Sequence, residues 1–195
     1  MEPTLRVRSK PPLRPLSLAA CALSMSISAS ALLAEDTMGF MPPGGKSILI
    51  ENLEAADGDK IAELAANEAT NDEWEELFGQ LMPDIGENAL ATVTAYSAIN
   101  FPLSPEALAQ LEEAGVAEAL PPDGKDLAVN NCQNCHSLFS GYLTHDRDVT
   151  GWLSTFKSPF HSEIPMTEIE RETFSHYSAI NMPMKFEDVP PEYRF

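Results

Sequence analysis

Apolar residues recur at helical spacing through most of the chain beyond residue 50. Between Leu53 and Phe78, the residues Ile61, Leu64 and Ala65, and then Trp74, Leu77 and Phe78, mark one apolar face, as expected of a buried helical stripe. Glu87 to Ile99 repeats the pattern with Leu90, Val93 and Ile99. Pro102 and Pro105 interrupt it, and Pro105 to Leu120 reads as a further helix. Pro121-Pro122-Asp123-Gly124 is a strong turn signal and the expected domain boundary. No run alternates with the period of a half-buried strand, so the expected fold is mostly α. Residues 35–50, with Met41-Pro42-Pro43-Gly44-Gly45, read as an irregular arm. Residues 184–195 read as an extended tail, because Pro190 and Pro191 cannot sit inside a helix. The aromatics of the tail suit a segment laid against the first half of the chain or against a partner.

The pattern also repeats. Tyr96-Ser97-Ala98-Ile99-Asn100-Phe101-Pro102 returns as Tyr177-Ser178-Ala179-Ile180-Asn181-Met182-Pro183, six of seven residues at an offset of 81. Upstream, Trp74 to Phe78 aligns with Trp152 to Phe156 at an offset of 78. Each half therefore reads as a helix with a Trp, a loop, and a helix ending in Tyr-Ser-Ala-Ile-Asn. Two copies of one small helical domain are expected, over 51–120 and 123–183.

The first residues change the picture of where the chain works. Arg6, Arg8, Lys10 and Arg14 precede an uncharged stretch from Leu16 to Leu33, and small residues lead to Ala34. That order reads as a secretory signal peptide over 1–34, cleaved after Ala31 or Ala34, and it implies a periplasmic protein. Two other readings keep it at a membrane: a lipid on Cys21, within Leu18-Ala19-Ala20-Cys21, or an uncleaved anchor. Without the leader, eight basic residues face twenty-nine acidic ones, a net −21. Such a surface repels nucleic acid and anionic membranes and steers towards a basic partner, unless it is a solvated acidic coat.

Cys132-Gln133-Asn134-Cys135-His136 is the attachment pattern for haem c, C-x-x-C-H. On one helical turn the two thiols reach the two vinyl groups of a haem, and His136 places an imidazole on the iron. One covalent haem is therefore the expected cofactor. A structural zinc site wants four ligands, and no second cysteine pair is present. A thioredoxin-like dithiol wants a βαβ setting, which the pattern lacks. Trp152, Phe156, Phe174 and Tyr177 are spaced to wall the haem, and Arg147 or Lys157 could meet a propionate. Residues 51–120 offer no Cys or His, so the first copy is expected to be degenerate and haem-free, its core filled by Phe78, Leu81 and Met82.

Residues 123–181 resemble a class I cytochrome c domain. The likeness is to the cytochrome subunits of bacterial sulfite dehydrogenases and the haem domains of quinohaemoprotein amine dehydrogenases. It rests on Cys132 to Ser137, Trp152, and Tyr177-Ser178-Ala179-Ile180-Asn181. The resemblance implies a helical haem pocket and electron transfer with a dehydrogenase. It also implies a methionine ligand a few residues after the Trp. Met82 stands there in the first copy, but Pro159, Phe160 and then His161 follow in the second. The distal iron ligand is thus left between Met166, in Ile164-Pro165-Met166, and His161, with Met182 and Met184 behind them. His145 and His176 are expected to be exposed. The expected function is single-electron transfer, as a carrier or as the electron-accepting subunit of a periplasmic dehydrogenase. A haem-based sensor of small ligands, with an open sixth position, is the alternative. A peroxidase would need a distal catalytic set that the sequence does not supply.

Overall fold

Side-chain caps fix the starts of five helices among the described residues, those at Thr70, Ser104, Asp123, Asp148 and Thr167. Thr70 and Thr167 each accept a hydrogen bond from the backbone N–H three residues on, and Glu73 and Glu170 reach back to close the box. These caps begin α3 (Asn71–Leu81) and α9 (Glu168–Asn181). The computed structural model describes residues 38–195, apart from the side chains of residues 54–58 and 112. The expected leader over 1–34, its cleavage points, Cys21 and the first residues of the arm lie outside the described residues.

Within them the chain is helical, with no strand among the described residues. α1 (Gly45–Leu49) runs through a π-helical turn, Ile50–Glu54, into α2 (Ala55–Ala65). α3 follows, then α4 (Glu87–Asn100), α5 (Pro105–Ala114) and α6 (Val116–Ala119). The second half contains α7 (Gly124–Cys132), a π-helical turn at Phe139–Leu143, α8 (Val149–Thr155) and α9.

Several expected boundaries shift. The helix expected across Leu53 to Phe78 is broken between Ala65 and Asn71, because the Thr70 cap starts α3 afresh. The helix expected over Pro105 to Leu120 splits at Gly115, whose φ of 92° takes it out of the helical region. From Met38 onward the arm is irregular only up to Gly44, since α1 lies inside it. The tail makes two single 3₁₀ turns, Phe186–Asp188 and Pro191–Tyr193. It lies on the second half, not the first. Phe186 meets Phe139 edge-on at 5.8 Å, Met184 N–H donates to the Leu143 carbonyl, and Val189 is fully buried.

Two apolar cores form, one per half. The first gathers Trp74, Phe78, Val93 and Tyr96; the second gathers Tyr142, Trp152, Phe174 and Tyr177. α1 and α3 pack on α4, α7 and α8 pack on α9, and α4 and α9 pack on each other. All described residues belong to one compact unit.

The join is built from contacts that occur twice. Tyr96 Oη donates to the Pro121 carbonyl at 2.7 Å, and Tyr177 Oη donates to the Pro42 carbonyl at 2.7 Å. Asn100 Nδ2 donates to Thr173 Oγ1 at 3.0 Å, and Asn181 Nδ2 donates to Thr92 Oγ1 at 2.9 Å. Each pair joins residue i of one half to residue j of the other, and the converse, as across a two-fold interface. Inside the halves, Leu103 N–H donates to the Ala65 carbonyl and Met184 N–H to the Leu143 carbonyl, both at 2.8 Å. A Cβ on Gly45 would overlap Tyr96, and one on Gly124 would overlap Tyr177. Both glycines are the first residue of their helix, where a tyrosine ring lies on the backbone.

These contacts expose a stretch of the repeat that the apolar pattern hides. Pro42-Pro43-Gly44-Gly45-Lys46 corresponds to Pro121-Pro122-Asp123-Gly124-Lys125 at an offset of 79. The one mismatch is put to use. Asp123 caps its own helix by accepting from Asp126 N–H, and it also accepts from Ser47 N–H and Oγ at 3.2 Å each. Gly44, with no side chain to cap α1, makes room for that carboxylate. One buried aspartate therefore starts a helix in each half.

Candidate functional site

α7 delivers the C-x-x-C-H segment. The Asp123–Asp126 capping box starts the helix, and Cys132 is its last residue. Gln133 to Cys135 continue as a turn, tied by Asn134 Nδ2 donating to the Asn130 carbonyl. Cys132 is half-buried and Cys135 exposed, and both thiols are free. Burial, and then the neighbouring Cys135, push the Cys132 thiol up to about 12. A redox or nucleophilic dithiol needs the opposite shift, towards an available thiolate.

His136 follows, exposed, with Nδ1 against the Ser137 carbonyl at 3.1 Å. A carbonyl only accepts, so the contact suits the Nδ1–H tautomer of a neutral ring, in which Nε2 keeps its lone pair. Such an orienting bond is what an imidazole ligand to a metal usually makes. The ring lies directly on the π-helical turn at Gly141, where a Cβ would overlap Nδ1 and Cε1. Gly141 is a site residue with no local sequence signal, because its requirement comes from the ring packed upon it.

The motif opens onto a cleft of about 480 Å³, lined by Cys132, Cys135, His136, Tyr142, Trp152, Phe156, Phe160, His161 and Phe174, among others. That volume falls within the range of about 300–1,000 Å³ usual for cofactor sites. Its walls are held by an aromatic cluster. Trp152 meets Tyr142 at 5.2 Å and Phe174 edge-on at 5.8 Å, and Phe156 meets Phe174 edge-on at 5.6 Å. Tyr142 is anchored by its hydroxyl to Ser178 Oγ at 2.8 Å.

The residues expected at the site separate into two groups. Cys132, Cys135, His136, Trp152, Phe156 and His161 come together on the cleft. Tyr177 and Met166 do not line it. Tyr177 is buried at the join of the halves, bonded to Pro42. Met166 is buried in the second core, its backbone N–H donating to the Ile164 carbonyl. His145 and His176 are half-buried rather than exposed. His145 lies edge-on to Trp152 at 6.4 Å, and burial lowers the pKa of His176. Arg147 stacks over Trp152 at 5.3 Å and donates to Thr155 Oγ1 at the cleft wall, whereas Lys157 is exposed.

A bare ion and a porphyrin-type cofactor ask different things of this arrangement. Among the described residues, no group of three or more His, Cys, Asp or Glu side chains could hold a metal ion. A macrocycle brings its own four nitrogens and asks of the protein only axial groups and apolar walls. Trp152 Nε1 is buried without a hydrogen-bond partner, but so is Trp74 Nε1 in the other half. That feature belongs to the shared framework and is no sign of a ligand. Among the described residues no helix is long and apolar enough to cross a membrane. Compared with family models, curated proteins and solved structures, the chain matches none of them.

Proposed function

We propose that this chain is an exported c-type cytochrome that carries one covalent haem on Cys132 and Cys135 and passes single electrons to a redox partner. The observation that carries the reading is the convergence of both free thiols and His136 on one aromatic-walled cleft of about 480 Å³. The first half, in this proposal, is a degenerate copy of the same domain without a cofactor. Its support is the reciprocal pairing of Tyr96 with Pro121 and Tyr177 with Pro42, and of Asn100 with Thr173 and Asn181 with Thr92.

A haem bound in the cleft supplies a one-electron couple at its iron. The chain's own residues do the rest. Cys132 and Cys135 would hold the cofactor, and His136, oriented by the Ser137 carbonyl and seated on Gly141, would offer Nε2 to its iron. Trp152, Phe156 and Phe174 exclude water, which raises a reduction potential by disfavouring the more charged oxidised state. The net −21 of the chain beyond residue 34 favours a partner with a basic docking face, such as a dehydrogenase or a second carrier in the periplasm.

The test is a spectroelectrochemical titration of the full chain, expressed in a host that attaches haem c. The expected result is a reversible one-electron transition, with all the haem remaining on the chain after denaturation. Haem that acid acetone removes, or a chain that takes up none, contradicts the proposal.

A further inference from the structure

We infer that His161 is the second axial ligand, so that the haem site is bis-imidazole and closed to small ligands; this rests on the haem reading above. The His136 and His161 rings face the same cleft with their centroids 6.4 Å apart. Two imidazoles bound on opposite sides of one metal, with metal–nitrogen distances of about 2.0–2.1 Å, place their centroids roughly 6–6.5 Å apart. On each ring Nδ1 is engaged, with the Ser137 carbonyl and with Ser158 Oγ, both at 3.1 Å. Nε2 is the nitrogen left to ligate on each.

The loop that carries His161, residues 156–167, is longer than its counterpart in the first half, residues 82–86. The offset between the halves is 78 at Trp74 and Trp152 but 81 at Tyr96 and Tyr177, so three extra residues lie between them. α8 stops at Thr155, and the chain then turns back on itself through residues 156–164. His161 N–H and Ser162 N–H both donate to the Ser158 carbonyl, at 3.1 and 2.9 Å. Arg171 of α9 stacks on Phe156 at 5.0 Å and donates from Nη2 to the carbonyls of Ser162 and Ile164. That guanidinium clamps the loop just beyond His161. In the first half the position of Arg171 is Leu90, which offers no guanidinium to the shorter loop there. Ser158 and Arg171 are thus positioning residues for His161. Met166 lies outside the cleft, in the core under α9.

The experiment uses the haem-loaded full chain and spectra of the oxidised and reduced protein, with carbon monoxide and imidazole as probes. The expected wild type is six-coordinate and low-spin, lacks a sulfur-to-iron charge-transfer band, and binds carbon monoxide slowly or not at all. His161→Ala should turn the oxidised iron high-spin and speed carbon monoxide binding at least tenfold, and added imidazole should restore the low-spin spectrum. Met166→Leu should leave the spectrum unchanged, and Arg171→Gln should give a low-spin/high-spin mixture that imidazole converts to low-spin. A sulfur-to-iron band lost in Met166→Leu, or a wild type that binds carbon monoxide as fast as His161→Ala, overturns the inference while leaving covalent haem intact. Absence of covalent haem in the wild type would instead defeat the reading beneath it.

Discussion

In the first half, Trp74 stacks on Phe78 with centroids 5.4 Å apart and meets Phe101 edge-on at 6.0 Å. Met82 ends α3 at 5% exposure and completes the core. In the second half, Trp152 sits at the matching place, but Phe156 packs edge-on against Phe174, and the residue matching Met82 is Phe160, 91% exposed. α3 runs eleven residues where α8 runs seven. The two halves thus finish the surroundings of their tryptophans differently. One half fills the space beside its tryptophan with its own side chains, while the other ends its helix early and leaves an aromatic cleft. Apolar surface left open to water is unfavourable, and a bound apolar body removes that cost. The difference marks the second half, independently of the cysteines, as the one with an open aromatic cleft beside its tryptophan.

The sharpest way to break this comparison is to delete side chains at matched positions in the unloaded chain. Phe78→Ala should cost about 3–5 kcal/mol and Met82→Ala about 2–5 kcal/mol, because both open cavities in a closed core. Phe160→Ala should change stability by less than about 0.5 kcal/mol, as an exposed substitution does. Urea denaturation measures all three, and equal costs at positions 82 and 160 would mean that the halves are finished alike.

The join offers a smaller effect. Tyr96→Phe and Tyr177→Phe each remove one hydroxyl bond to a proline carbonyl in the opposite half. Each should cost about 1 kcal/mol, and the full chain should melt in a single transition before and after. Separate transitions for the halves, or a cost at only one tyrosine, would show that the matched contacts are not equivalent.

The smallest effect is electrostatic. Burial, and then the charge of Asp123, raise the pKa of Asp126. The folded chain therefore holds that proton more tightly than the unfolded one. This contribution to stability is full below the unfolded carboxyl value, about 3.9, and is lost as pH rises through the folded value. Asp126→Asn keeps an acceptor for the Asp123 N–H, so it should raise the melting temperature modestly at neutral pH and lose that gain towards pH 4. A gain that persists unchanged at pH 4 would rule out the electrostatic cause.

Much of this was legible in the sequence where the cause is local. The C-x-x-C-H motif, the Trp helices and the two Tyr-Ser-Ala-Ile-Asn helix ends were readable from spacing alone. The first residues of each repeat were not, because Pro42 to Gly45 looks like a loose arm and Pro121 to Gly124 like a turn. Their likeness is explained by what lands on them: Tyr96 on Gly45 and Tyr177 on Gly124, contacts made across more than fifty residues of chain. Gly141 was hidden although its cause is only five residues away, because its need is set by where the His136 ring packs and not by a turn signal. Between Met166 and His161 the local sequence does not decide, whereas the change of offset from 78 to 81 draws attention to the loop of His161. The double role of Asp123 depends on a missing side chain at Gly44, which only the packed structure reveals.

The most direct test of the central claim is the intact mass of the exported full chain, followed by peptide mapping of the haem. The account predicts the mass of one added haem per chain, carried entirely by the peptide containing Cys132, Cys135 and His136. A chain with no covalent haem, with two, or with haem bound to any peptide of the first half would contradict it.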